Sequence, residues 1–490
     1  MSKSIFSKRV TCTLSGLAGF ITLSALEAPP VQPVNIVLIY IDDMGYGDLG
    51  ITGASGYQTP NLDRMAREGI FFSRYYSPQA VCSASRAGLL TGCYPNRVGI
   101  SGALFPKAKT GLSPEEETIA DILKKRNYKT LAVGKWHLGD HPTMMPTAQG
   151  FDEYLGIPYS NDMWPFNNNN TRATPETNKT RASLPELPLY HNLEVVREFK
   201  SIQDQEAITT LYTEKAVQFL KDNRKQPFFL YLAHNLPHVP LAVSEKFKGK
   251  SRQGMYGDVM MEIDWSVGQV LQTLKELKLE EKTLVIFTSD NGPWLNFGNH
   301  SGTTGGLREG KGCSFEGGQR VPCLMRWKGV IPEGITCSRL VCGLDILPTI
   351  AEVTGAPLPE KKIDGVSILP LMKGDPDASP RKAFWYYYRK NNLEAVTNGD
   401  WKLVFPHPGR TYEGFMPGNN AEGGKVNENF NFPGGLYDLR RDPGERYNVA
   451  ELYPEIVKEL EKIGNDAREE LGDDLTSQPG KARRPAGVAL

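Results

Sequence analysis

Four short apolar runs in this 490-residue chain each end in a cluster of polar or charged side chains, and no other feature limits the fold as strongly. Residues 34–41 (VNIVLIYI) run into Asp42-Asp43, and residues 130–133 into Gly134-Lys135-Trp136-His137. Residues 227–233 (PFFLYLA) run into His234 and His238, and residues 284–288 into Asp290-Asn291. Short runs that are apolar throughout fit strands buried on both faces. Amphipathic stretches at 118–125, 212–223 and 260–277 predict helices among them. Strands alternating with helices predict βαβ units, hence an α/β fold with a large, mostly parallel central sheet flanked by helices. In such sheets ligands bind beyond the carboxyl ends of the strands. The four polar ends therefore converge on one site.

After about residue 375 the pattern changes. Short strands are expected at 384–388, 394–397, 401–405 and 436–439, with a last helix over 450–470, giving a smaller C-terminal antiparallel sheet-plus-helix subdomain. Residues 158–188 contain Asn167 to Asn170 and several prolines and read as a long surface loop, either a lid or specificity element or an insertion without a role. Lys3, Lys8 and Arg9 precede an apolar stretch at 10–25, too short for a comfortable membrane span. The resulting organisation is a signal peptide at 1–28, an α/β domain bearing the site at 29–375, the subdomain at 376–476 and a disordered tail at 477–490. Export to the periplasm or the outside follows, with no stable membrane anchor; an uncleaved signal anchor is the alternative. Export permits disulfides among the cysteines after Cys12, whose pairing sequence leaves open.

Lys plus Arg equals Asp plus Glu, at 56 each, so nothing draws the whole chain to nucleic acid. An anionic substrate must be held by local cations. Asp42, Asp43, Asp290 and Asn291 form an all-oxygen ligand set of the kind hard cations take. Cys82, in Val81-Cys82-Ser83-Ala84-Ser85-Arg86, is placed to open a helix, with Arg86 one turn on. Helix N-termini favour anions.

The Cys82-Ser83-Ala84-Ser85-Arg86 block followed by Leu89-Leu90-Thr91-Gly92 resembles the formylglycine signature of type I sulfatases. Three further blocks match in order: Gly134 to Gly139, Ser289-Asp290-Asn291-Gly292, and Gly310-Lys311-Gly312 leading to Phe315-Glu316-Gly317-Gly318. The resemblance is to the arylsulfatase A-like family of the alkaline phosphatase superfamily and covers nearly all of the chain after the signal segment. It implies hydrolysis of sulfate esters and release of inorganic sulfate through 3-oxoalanine (formylglycine), made from Cys82 by a formylglycine-generating enzyme. It also implies calcium held by Asp42, Asp43, Asp290, Asn291 and modified Cys82. Arg86 would hold the modified residue, Lys135 and Lys311 the sulfate, His137 would act as base and His238 as acid, and Ser160 would be a further polar contact. His234 is left between a supporting and a structural role. Ala84 stands where the family often has proline, and Cys93 where arginine is common. A sulfated sugar or polysaccharide fragment is the expected substrate. Trp164, Phe166, the Asn-rich loop, residues 385–388, Arg389, Glu394, His407 and Arg410 are candidate sugar contacts. The alternatives are a phosphatase or phosphonate hydrolase on the same fold, and a non-catalytic glycan-binding relative if Cys82 stays unmodified.

Overall fold

In a computed structural model that describes residues 33–489, strand β1 (Asn35–Ile41) lies at the centre of the main sheet. The expected signal peptide falls outside the described residues. Every residue of β1 is buried. Ile36, Leu38 and Tyr40 enter one core, and Val37, Ile39 and Ile41 enter the other. Successive side chains point to opposite faces, so a strand covered on both faces must be apolar throughout.

In chain order the next strands are β2 (Ile70–Tyr76), β3 (Thr110–Gly111), β4 (Lys129–Gly134), β5 (Glu153–Gly156), β6 (Leu187–His191) and β7 (Glu194–Phe199). Then come β8 (Phe228–Ala233), β9 (Thr283–Ser289), β10 (Arg320–Arg326), β11 (Ile335–Cys337) and β12 (Val341–Cys342). The sheet runs β11-β2-β10-β9-β1-β8-β4-β5-β6-β7, with β12 also on β2. Its centre, β9-β1-β8-β4-β5, is parallel. Antiparallel pairs flank it at β10 and at β6 and β7. Helices Ile208–Asp222 and Gly254–Glu276 pack into one core. Helices Cys82–Thr91 and Ile346–Thr354 pack into the other. The first two begin before the expected 212 and 260, because their first turns bury Ile208 and Tyr256. No helix among the described residues is long and apolar enough to cross a membrane.

Strand register builds the site. Ile41 pairs with Ser289, Tyr40 with Ala233, and Ala233 with Gly134. The residues that follow each strand, Asp42, Asp290, His234 and Lys135, therefore leave the sheet side by side.

The C-terminal part is antiparallel, as expected. Strands β13 (Phe384–Tyr388), β14 (Asn392–Thr397), β15 (Trp401–Val404), β16 (His407–Thr411), β17 (Asn427–Phe432) and β18 (Gly435–Asp438) form a four-stranded sheet β13-β14-β15-β18 and a hairpin β16-β17. Helix Pro454–Leu471 buries Leu460, Ala467 and Leu471 in the core shared with that sheet. Buried Lys402 on β15 bonds Glu316 at 3.3 Å and Glu445 at 2.7 Å. Tyr76 of β2 and Tyr386 of β13 also donate to Glu316, at 2.8 and 2.9 Å. This network ties the small sheet to the large one.

Two expectations are corrected. The tail after 477 is docked rather than disordered. Strand β19 (Gly487–Val488) pairs with β3, and Arg484 bonds buried Glu116 at 2.7 Å and Arg97 O through its own N–H at 2.6 Å. An ion pair to a buried carboxylate outweighs what the Pro/Gly-rich composition suggested. Residues 158–188 hold helix Pro175–Ala182, kinked at Asn178, and a bridge from Phe166 to Arg172. Trp164 is fully buried, and Phe166 packs against it at 4.8 Å, so neither presents a face to a sugar.

Candidate active site

The residues after β1 and β9 form a buried carboxylate cluster. One oxygen from each of Asp42, Asp43 and Asp290 lies within 4.8 Å of the others. Asp43 has φ +62, a left-handed conformation that non-glycine residues seldom adopt and that recurs at functional sites. Its N–H donates to Asp290 Oδ1 at 3.1 Å. Asn291 Nδ2 donates to Asp43 Oδ1 at 2.7 Å. Asp42 Oδ1 and Asn291 Oδ1 are buried without a hydrogen-bond partner among the described residues. Unpaired buried oxygens on an all-oxygen donor set fit a hard divalent cation. Burial and the neighbouring Asp42 charge raise the Asp290 pKa. Burial also acts to raise Asp42, but Lys135, His238, Arg86 and Lys311 outweigh it and hold Asp42 well below the usual carboxylate range.

Three cations face the three acids. Lys135 Nζ lies 2.6 Å from Asp42 Oδ2 and donates to Ser160 Oγ at 3.1 Å. Lys311 Nζ lies 2.8 Å from Asp43 Oδ1, with the Trp294 ring 4.6 Å away. Arg86 donates from Nε and one terminal nitrogen to Asp290 Oδ2, at 3.2 and 2.8 Å, and from the other to the Lys135 carbonyl at 2.8 Å. The guanidinium thus braces two strand ends. Paired one to one, these side chains sum to zero charge, so an added dication would give the site a net positive field for an anion.

Cys82 is the first residue of helix Cys82–Thr91, whose N-cap Val81 is extended and offers no side-chain cap. In its first turn Ala84 N donates to Gly102 O at 3.3 Å, which leaves the N–H groups of Cys82 and Ser83 beside the cations. Every residue of this helix is buried. Burial pushes the Cys82 thiol up, although Lys135 and Lys311 pull the other way. None of the six described cysteines is paired in a disulfide.

His137 also has positive φ, +64. Its Nε2 lies 2.8 Å from the Leu104 carbonyl, so the proton sits on Nε2 and the Nδ1 lone pair is left without a partner. Burial, then Lys135 and Arg86, push its pKa well below the ordinary value, which keeps the imidazole neutral. His238 donates from Nδ1 to Val239 O, and its Nε2 lies 3.5 Å from Asp43 Oδ2.

Cys82, His137, Ser160, His238 and Lys311 line one cavity of about 450 Å³. The sequence-based selection missed its outer wall, which includes Phe105, Asn178, Arg181 and Trp294. Phe105 and Trp294 come from loops, and Asn178 and Arg181 from the short kinked helix Pro175–Ala182, and none of these segments carries a periodic apolar signal. Of the suggested contacts from the C-terminal sheet, Tyr388 and Arg410 line the cavity. Glu394 and His407 are instead buried 3.5 Å from each other, and Trp385 stacks on Tyr94 at 4.9 Å. His234 leaves the sheet beside Asp42 and Lys135, but its side chain bonds Ser266 of helix Gly254–Glu276 at 3.1 Å.

A family model described as sulfatase matches residues 34–356. A second, for the C-terminal region of aryl-sulfatase, matches residues 379–487. Arylsulfatase A of Homo sapiens is 39% identical over 476 residues, covering 94% of this chain and 92% of that protein. N-acetylgalactosamine-6-sulfatase of Canis lupus familiaris is 38% identical over 468 residues, covering 90% and 86%. Among solved structures, PsFucS1 sulfatase from Pseudoalteromonas sp. superposes with a TM-score of 0.79 at 29% identity, over 89% of this chain and 90% of that one.

Proposed function

Because this chain belongs to the sulfatase family and is a sulfuric ester hydrolase, we propose that it removes sulfate from a sulfated sugar, with Cys82 in its formylglycine form and calcium on Asp42, Asp43, Asp290 and Asn291. The observation that supports this most is the meeting of Cys82, Lys311, His137 and His238 in one cavity, against a buried all-oxygen cluster. A relative of similar length is named for a sulfated amino sugar, N-acetylgalactosamine 6-sulfate, which favours a sugar ester over a simple aryl one.

In this reading Lys135 and Lys311 hold the sulfate oxygens, and preorganised charge of this kind is often the largest catalytic contribution. Bound calcium would add positive charge at the same oxygens, and formylglycine would supply a hydroxyl nucleophile in place of the thiol. His238, whose Nδ1–H is fixed on Val239 O, offers a proton from Nε2 to the leaving sugar oxygen. His137, neutral and with a free Nδ1, takes a proton at the Cys82 position. Arg86 fixes Asp290 and the backbone beneath Lys135. Ser160 orients Lys135. Residues 29–375 carry the chemistry, and the 376–476 part contributes Tyr388 and Arg410 to the cavity wall.

Two measurements test this together. Peptide mass spectrometry on the Cys82 peptide from the native host should find the aldehyde or its hydrate. Sulfate release should occur from a panel of sulfated sugars. An unmodified thiol in active protein would sink the Cys82 role, and turnover of aryl sulfates alone would sink the sugar.

A further inference from the structure

A second hollow of about 300 Å³ adjoins the cavity, and Asn178 and Arg181 line both. Its other walls are Asn167, Asn168, Asn169, Phe297 and the turn at 421–423. Both of its loops are anchored. Asn170 accepts from Ile202 N at 2.9 Å and donates to Gln203 at 3.1 Å. Asn167 donates to Thr171 at 3.0 Å, and Asn169 accepts from it at 2.6 Å. On the other side Gly418 N and Gly424 N both donate to Asn296 O, at 2.8 and 2.7 Å. Asn168 differs from its neighbours. Its Oδ1 is buried without a partner among the described residues. Asn168 lines the hollow, but this oxygen is held below its surface.

The lining chemistry narrows the ligand. Carboxamides both donate and accept, as sugar hydroxyls do, and Phe297 adds an apolar surface. Arg181 and Glu422 cancel in charge, so the hollow does not select a second anion. Each hollow lies within the range of roughly 300–1,000 Å³ usual for small-ligand pockets. We propose that the second hollow is a subsite for a neutral sugar ring joined to the sulfated ring, so that the substrate is an oligosaccharide of at least two rings. The inference rests on the sulfated-sugar reading above. The sulfate lies at Cys82, the ring that bears it fills the first cavity, and its neighbour lies beyond Asn178 and Arg181.

The test uses the full, Cys82-converted enzyme. Its kcat/KM for sulfate release is measured on an aryl sulfate, on a panel of monosulfated monosaccharides, and on oligosaccharides ending in the same sulfated residues. The expected result is a kcat/KM at least tenfold higher on an oligosaccharide than on its monosaccharide, expressed mainly in KM. Asn168→Ala should bring that ratio close to one. Equal rates on the two sugars, or a ratio that Asn168→Ala leaves unchanged, overturn the subsite and leave the sugar reading standing. Hydrolysis of the aryl ester with no sugar accepted overturns both.

Discussion

Lys311 holds Asp43 at 2.8 Å and lines the cavity, so it faces both the carboxylates and the space proposed for the ester. Lys311→Ala should lower kcat/KM by about 10²–10³, the effect of removing one preorganised group from a developing charge, measured by sulfate release. The unpaired Asp42 and Asn291 oxygens are the donors a bound calcium ion would take in the proposed function. Chelation should lower Tm and added calcium restore it, with about 2.7 kcal/mol at a hundredfold excess over Kd. Identical melts in chelator and calcium would remove calcium from the account. His234, whose side chain bonds Ser266 and not the cluster, is a test of burial alone. Burial pushes its pKa down to about 4, against about 6.5 in the unfolded chain. Only the unfolded state gains the proton between these values, so this contribution to stability is present above pH 6.5 and lost as pH falls toward 4. The stability difference between wild type and His234→Gln should shrink by about 2 kcal/mol from pH 7 to pH 5, read by urea unfolding. Residues at the strand ends were legible because a polar side chain closing an apolar run has few structural explanations. Trp294 and Phe105 on loops, and Arg181 on a short kinked helix with no apolar stripe, were not, because their places depend on how those segments pack.

The elements were legible where both faces of a strand are covered. The four apolar runs match β1, β4, β8 and β9 to within one residue at each end. Strands β2 and β10 were not read. Ser73 and Arg74 interrupt the first, and Arg320, Pro322 and Arg326 lie in the second, which runs antiparallel to both its neighbours outside the parallel centre. The end of β4 depends on a glycine. Gly134 has φ +109, and a Cβ there would lie 1.9 Å from the Ala233 carbonyl. Gly134→Ala should cost about 2–4 kcal/mol, combining backbone strain with a clash that no side chain can relieve. It should also abolish turnover, because Lys135 follows directly. Gly249→Ala has φ +69 and nothing within 4 Å. It isolates the strain and should cost about 1–2 kcal/mol in the same urea titration.

At the scale of the whole molecule, the small sheet is joined to the large one through buried charge. Lys402 is fully buried between Glu316 and Glu445. Lys402→Met would leave those carboxylates facing each other and should cost about 3–5 kcal/mol, the usual effect of breaking a buried pair from one side. Calorimetry should show one transition in the wild type and a lower or divided one in the variant. The C-terminal sheet was legible as a change in strand length, but this network was not, because Lys402 and Glu445 look in sequence like ordinary surface charges. The central place of β1 has its own consequence for how the protein is made. Its partner β9 ends 248 residues later, as the bond between Ser289 and Ile41 records. At about 5–20 residues per second, synthesis takes roughly 12–50 s to supply that partner. Its other partner, β8, is complete only at Ala233, so for most of that interval this buried strand has neither neighbour, and refolding from denaturant at high concentration should yield mostly aggregate unless a holding factor is added.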